Sequence, residues 1–233
     1  MKIRSEIVIG LLGLILVACG HFIGLVVAPP EAMMGDVGRI LYVHVPTAWV
    51  GLLIYLVAFI AAVGALWTSK VGWDAMVEAS VEVGVILNGL LLFQGSIWAK
   101  PTWGTYWVWD PRLTTSAIMV VAFGSILVLR KMIDQPPRRM TLSAVATIVA
   151  FVNVPITYMS VKWWRTLHQN MSSPETVSST MVTPLRIAAF GMLFLATALV
   201  IRRWRIAMKQ LGAEEAASDM PPEPTPLELG GEA

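Results

Sequence analysis

Six apolar runs dominate this chain, near residues 7–28, 44–67, 77–98, 114–130, 141–159 and 185–201. Each approaches the roughly 20 residues that an α-helix needs to cross the hydrocarbon core of a bilayer. Lipid offers no partner to an open backbone N–H or C=O, so runs of this kind must be helical. They are too long and too closely spaced for soluble domains, and 56% of the residues are hydrophobic against 14% charged. The expected fold class is an all-α integral membrane protein with six transmembrane helices and an external Trp-rich loop. Residues 1–210 read as one transmembrane domain, with no internal repeat and no second folded unit. Residues 211–233 carry Glu214, Glu215, Asp219, Glu223, Glu228 and Glu232, several Pro and no base. That segment reads as a disordered acidic tail.

The basic residues set an expected orientation. Lys2, Arg4, Lys70, Arg130, Lys131, Arg138, Arg139, Arg202, Arg203, Arg205 and Lys209 fall at one set of helix ends. Arg39, Lys100, Arg112, Lys162, Arg165 and Arg186 fall at the other. The first set is the larger, which puts both termini in the cytoplasm and the loops near 29–43, 99–113 and 160–184 outside. These bases are topology signals and imply no nucleic-acid partner. Lys2 and Arg4 before Leu11–Ala18 resemble a signal peptide, and Leu16-Val17-Ala18-Cys19 resembles a lipoprotein cleavage box. The apolar run continues past Cys19 to Ala28, which favours an uncleaved first helix. Cys19 is the single Cys, which excludes an internal disulfide, a thiolate cluster and a Cys-x-x-Cys-His haem attachment site.

No nucleotide-binding loop, zinc motif or serine nucleophile elbow is present, so the chain carries no catalytic motif of its own. Glu78 and Glu82, at i and i+4 near the inner end of the third run, read either as an ion path or, more simply, as interfacial charges. Asp110-Pro111 and Thr183-Pro184 read as N-cap and first residue of the fourth and sixth helices. Pro155 should kink the fifth run near its outer end.

Chemistry concentrates in Trp103-Gly104-Thr105-Tyr106-Trp107-Val108-Trp109-Asp110-Pro111-Arg112. Indoles offer wide apolar faces and one N–H each, which suits a membrane interface or a large planar ligand. A mere belt does not require this many rings in one short connection. His44, in Tyr42-Val43-His44-Val45-Pro46, and His168, in Trp163-Trp164-Arg165-Thr166-Leu167-His168, belong to the same outer face. They read either as polar loop residues or as a bis-imidazole site for haem iron; they are too few for a structural zinc site. His21, inside the first run, reads as a packing residue or as a further ligand. Arg112, with Arg39, Lys100 and Arg165 on the same face, could pair with haem propionates. Asp110 could also orient an indole N–H or a partner protein.

The Trp103–Asp110 segment resembles the "WWD" signature of membrane haem-handling proteins. With the segments around His44 and His168, Val152-Asn153-Val154-Pro155-Ile156 and six apolar runs, the chain resembles the haem exporter protein C family of cytochrome c maturation (protein C) over about residues 7–201. The resemblance implies that haem b is bound at the outer, periplasmic face of the bacterial inner membrane and presented to a haem chaperone, cytochrome c maturation protein E. It implies work with ATP-binding-cassette proteins A and B and a small membrane protein D. It carries His44 and His168 over as axial ligands, and Trp103, Tyr106, Trp107, Trp109, Asp110 and Arg112 as haem-binding residues. The role so implied is transfer and presentation of haem, with no enzymatic step assigned. A different class stays open: a permease or channel subunit whose external aromatics are only anchors. The few polar groups at mid-membrane, Asn88, His21 and Glu82, count against it.

The expected orientation has a direct test. A reporter enzyme active only outside the cytoplasm should be active when fused after Gln169 and silent after Gln135. The opposite pattern would invert the topology.

Overall fold

The computed structural model of the chain describes residues 4–169 and 179–218. Helix α1 (Ser5–Phe22) runs on through a π-helical turn (Ile23–Val27), and a 3-10 turn (Asp36–Ile40) leads into α2 (Leu41–Thr68). Then follow α3 (Val71–Trp103), α4 (Pro111–Lys131), α5 (Pro136–Phe151), α6 (Asn153–Trp163) and α7 (Ser179–Ser218). They make six stretches long and apolar enough to cross a membrane, with α5 and α6 together forming one of them. The protein is thus the all-α, six-span membrane protein expected.

The helix ends differ from the expected ones in instructive ways. Helix α3 reaches Trp103, so Lys100, Pro101, Thr102 and Trp103 belong to the helix and not to the connecting loop. Gly104 ends it in the left-handed region, φ 79°, and returns its N–H to the Lys100 carbonyl at 3.0 Å. The fifth run breaks at Val152, three residues before Pro155, near the Phe151 carbonyl that the Pro ring would crowd. Pro184 lies inside α7, so Thr183-Pro184 does not start that helix. Helix α7 also continues through Ser218, so the segment expected to be a tail from 211 begins as helix, with Leu211 buried. The remainder, 219–233, lies outside the described residues, as does the 170–178 part of the last outer loop.

Two seams hold the bundle. Along α1 and α7, small residues let the backbones approach. A Cβ on Gly13 would lie 2.5 Å from the Leu195 backbone nitrogen, and one on Gly191 would lie 2.5 Å from that of Val17. Close approach of this kind replaces the hydrophobic drive that lipid removes. Between α2, α3, α4 and α5 the core is apolar and aromatic: Tyr55 stacks on Phe123 with centroids 3.7 Å apart, and Phe59 stacks on Phe151 at 4.4 Å.

One end of the bundle is closed by ion pairs. Arg130 meets Asp74 through both terminal nitrogens, at 2.6 and 3.1 Å, and reaches Glu78 at 2.8 Å and the Ser143 hydroxyl at 2.8 Å. Arg203 pairs with Glu78 at 2.8 Å and also with Glu82. Arg205 pairs with Glu6, and Arg139 with Glu214. Glu78 and Glu82 are therefore rungs of a ladder tying α3 to α4 and α7. The opposite end, called here the histidine end, gathers the start of α2, the end of α3, the start of α4 and the end of α6.

The seam makes a prediction. Gly13→Leu should destabilise the protein by about 1–3 kcal/mol through overpacking against α7. Gly124→Ala, where a Cβ would meet nothing within 4 Å, should cost nothing. Thermal unfolding in detergent compares them; equal midpoints would show that the seam constrains little.

Candidate functional site

At the histidine end an open cavity of about 120 Å³ runs between α2, α3, α4 and α6. Its walls carry His44, His168, Trp103, Trp107, Arg112 and Tyr158, and reach Leu52 and Leu91. The lining is mostly apolar with a few convergent polar groups, the usual make-up of a ligand site.

His44 stands in the first turn of α2. Its Cε1 faces Gly95 of α3, where an added Cβ would sit 3.4 Å away, so a small residue at that position gives the imidazole its room. Two residues on, Pro46 has no N–H to return to the Tyr42 carbonyl. His21 on α1 is not part of the cavity lining, and its Nε2 is buried without a partner.

His168 comes from the turn after α6. Its Nδ1 lies 2.8 Å from the Gln169 carbonyl, which calls for a proton on Nδ1 and leaves Nε2 as the acceptor nitrogen. Burial, the largest influence, holds its pKa below the ordinary imidazole value, and the nearby Arg112 charge adds to this. The Gln169 bond, second in weight to burial, and the Asp110 carboxylate pull the other way. His168 is thus kept neutral and able to donate a lone pair.

The two imidazoles have ring centroids 6.4 Å apart with planes inclined at 36°. An imidazole nitrogen binds a first-row metal at about 2 Å and sits roughly 1 Å from its own centroid, so two imidazoles trans on one metal hold centroids about 6 Å apart. The observed gap fits one iron between them. Among the described residues no group of three or more His, Cys, Asp or Glu could hold a metal otherwise.

The indoles divide into two sets. Trp103 and Trp107 line the cavity, and so do Trp98 and Trp49 of α3 and α2. Trp98 packs edge-on against Trp103 at 5.4 Å, and Trp107 edge-on against Trp109 at 5.5 Å. The indole N–H groups of Trp98 and Trp107 are buried without a partner, an unusual cost for a protein to carry unless a ligand supplies an acceptor. Trp109, 80% exposed, and Tyr106, 59% exposed, face away. They do not line the cavity, contrary to the expectation that the whole segment forms one platform.

Two charged residues of the segment have separate tasks. Arg112 lines the cavity, donates to the Thr157 and Tyr158 carbonyls at the end of α6, and has no carboxylate partner among the described residues. Asp110 is buried beside the cavity and does not line it. One of its oxygens accepts the Leu113 N–H at 2.9 Å, the expected N-cap of α4, which contributes about 1 kcal/mol. The other accepts the Leu167 N–H at 3.0 Å and the Thr166 hydroxyl. Burial pushes its carboxyl up, but these hydrogen bonds and the His168 ring together bring it below its ordinary value. Neither buried indole N–H is bonded to it.

The other expected bases are engaged elsewhere. Arg39 pairs with Asp36 and donates to the Gly24 and Ala28 carbonyls, closing the π turn. Lys100 donates to the Gly104 carbonyl and sits over the Tyr106 ring. Arg165 is exposed. Sequence reasoning missed Trp49 and Trp98; Trp98 stands beside Gly95 and Ser96, small residues that thin the α3 wall there and were the available signal.

Comparison with known proteins identifies the family. The sequence pattern of the family described as "Heme exporter protein C" matches residues 2–218. Proteins named "Heme exporter protein C" are similar over most of the chain. The one from Haemophilus influenzae is 37% identical over 202 residues, 84% of this chain and 82% of its own. That from Bradyrhizobium diazoefficiens is 34% identical over 191 residues, 79% and 72% respectively. That from Escherichia coli K12 is 33% identical over 193 residues, 82% and 78%. An indole-walled cavity with two opposed imidazoles, in a six-span helical membrane protein with these relatives, leads to one assignment: this chain belongs to the heme exporter protein C family, whose work is haem export in cytochrome c maturation.

Proposed function

We propose that the protein binds haem b as cargo at the histidine end of the bundle, on the periplasmic face of a bacterial inner membrane, and presents it to the haem chaperone protein E. The observation that carries this reading is the 6.4 Å separation of the His44 and His168 rings at an indole-walled cavity. In it, His44 and His168 supply the two axial nitrogens, and Trp103 and Trp107, with Trp98 and Trp49, cover the porphyrin faces and edge. Arg112 offers a guanidinium to a propionate, its charge not already compensated by a carboxylate. With both axial positions filled by protein, no open coordination site is left for oxygen chemistry. The role is therefore transfer, not turnover.

Trp109 and Tyr106, exposed at the rim, are placed for the chaperone rather than for the cargo. The ATP-binding-cassette proteins A and B and the small protein D complete the proposed assembly, and both termini are cytoplasmic in it. The permease reading draws less support. Of its polar groups at mid-membrane, Asn88 is buried and donates to the Gly84 carbonyl, and Glu82 is paired with Arg203.

Spectra of purified, haem-loaded variants test the reading. Wild type should be low-spin. His44→Gly and His168→Gly should each lose that form and regain it with added imidazole, because the free molecule replaces the missing donor. His21→Gly should keep the wild-type spectrum. An unaltered low-spin spectrum in either of the first two removes that residue as a ligand.

The indoles separate in the same assay. Trp107→Ala should lower haem retention while protein still accumulates, since it removes stacking area from the cavity. Trp109→Ala should retain haem and impair only transfer to the chaperone. Equal retention in both would end the division between wall and rim.

A further inference from the structure

His168 does not stand on a helix. It sits in a turn that is joined to the rest of the site by a short chain of hydrogen bonds. The Thr166 hydroxyl donates to Asp110 and accepts the His168 backbone N–H at 3.0 Å. The same Asp110 oxygen takes the Leu167 N–H at 3.0 Å, and its other oxygen is fixed by the start of α4. Asp110 is buried, so these bonds are shielded from competing water. One hydroxyl thereby links a helix-anchored carboxylate to the backbone of the imidazole-bearing residue.

We propose that Thr166, held by Asp110, is a positioning residue for His168: its hydroxyl sets the turn so that the imidazole faces His44 across the cavity. The latch touches neither porphyrin nor iron and acts only through the backbone of the next turn. This rests on the reading of His168 as an iron ligand. A half-buried hydroxyl acting as donor and acceptor at once cannot be replaced by a methyl without taking a bond from both partners. Oriented ligands depend on such outer partners nearly as much as on the donor atom itself.

The test uses full-length, haem-loaded protein in detergent and four variants. Thr166→Val removes the hydroxyl and keeps the shape. Thr166→Ser keeps the hydroxyl. Asp110→Asn keeps a good N-cap for α4 but loses the carboxylate. His168→Gly is the reference for loss of the ligand. Thr166→Val should lose most of the low-spin absorption and recover it with added imidazole, as His168→Gly does. Asp110→Asn should lose it in part, and Thr166→Ser should resemble wild type.

If His168→Gly loses the low-spin form while Thr166→Val keeps it and ignores imidazole, the latch is wrong and the iron reading stands. A Thr166→Ser variant as impaired as Thr166→Val would also overturn the latch, because the hydroxyl would not be the reason. If His168→Gly itself is unaltered, the iron reading fails and takes the latch with it. Should Asp110→Asn not accumulate, the two Thr166 variants decide the matter alone.

Discussion

A helix in lipid must pair every backbone polar group within itself or with a neighbour, and departures from this are tolerated only where something else supplies the partner. In this protein the departures gather at the histidine end. Pro46 and Pro184 each stand sixth in their helices and Pro101 lies in the last turn of α3, all on that side, and the π turn after α1 is there too. Each irregularity leaves carbonyls to be satisfied. Arg39 serves two of them at the end of α1, and Arg112 serves two at the end of α6. Arg39 also pairs with Asp36, but for Arg112 no acid is within pairing distance among the described residues. At the other end Arg130, Arg139, Arg203 and Arg205 meet carboxylates. The Arg112 charge, by contrast, faces the cavity.

Much of this was legible in sequence, for reasons that can be stated. Spans are a matter of length and apolarity, so all six could be read. The Asp110-Pro111 cap is local, and the structure has it. What sequence did not reveal is whatever depends on facing. The Trp103–Trp109 segment looks uniform along the chain, yet Gly104 and the loop after it turn Trp107 inward and Trp109 outward. Trp98, at the end of the third apolar run and outside the Trp-rich segment, lines the cavity all the same. The second oxygen of Asp110 is used by residues more than fifty positions away, which no spacing rule anticipates. The Glu78–Arg203 and Asp74–Arg130 pairs join distant helices in the same way. A basic residue counted for topology says nothing about the acid it will find.

The energetic weight of the two ends differs in kind. The ladder of Asp74, Arg130, Glu78 and Arg203 is partly buried, and removing one member would leave charges unpaired, so it holds the helices in fixed register more than it adds net stability. The cavity end is held by hydrogen bonds to single carbonyls and by one carboxylate, with unpaired indole N–H groups left in the walls. A rigid base under a less satisfied upper part suits a protein that must hold something and then let it go.

The hydrogen bonds behind the two imidazoles carry a last consequence. Nδ1 of His168 has the Gln169 carbonyl behind it, whereas Nδ1 of His44 is sealed from solvent with no partner at all. A carbonyl pulling on the far N–H makes an imidazole more basic and a better electron donor to a metal. For an iron held between them, the bond to His168 would be the electronically richer and the bond to His44 the poorer. The chain contexts run the other way: His44 is rooted in a membrane-spanning helix, and His168 in a turn. The stronger donor thus stands in a turn pinned by Asp110 and Thr166, the weaker in a helix. Two ligands of one residue type would then hold a cargo with unequal bonds.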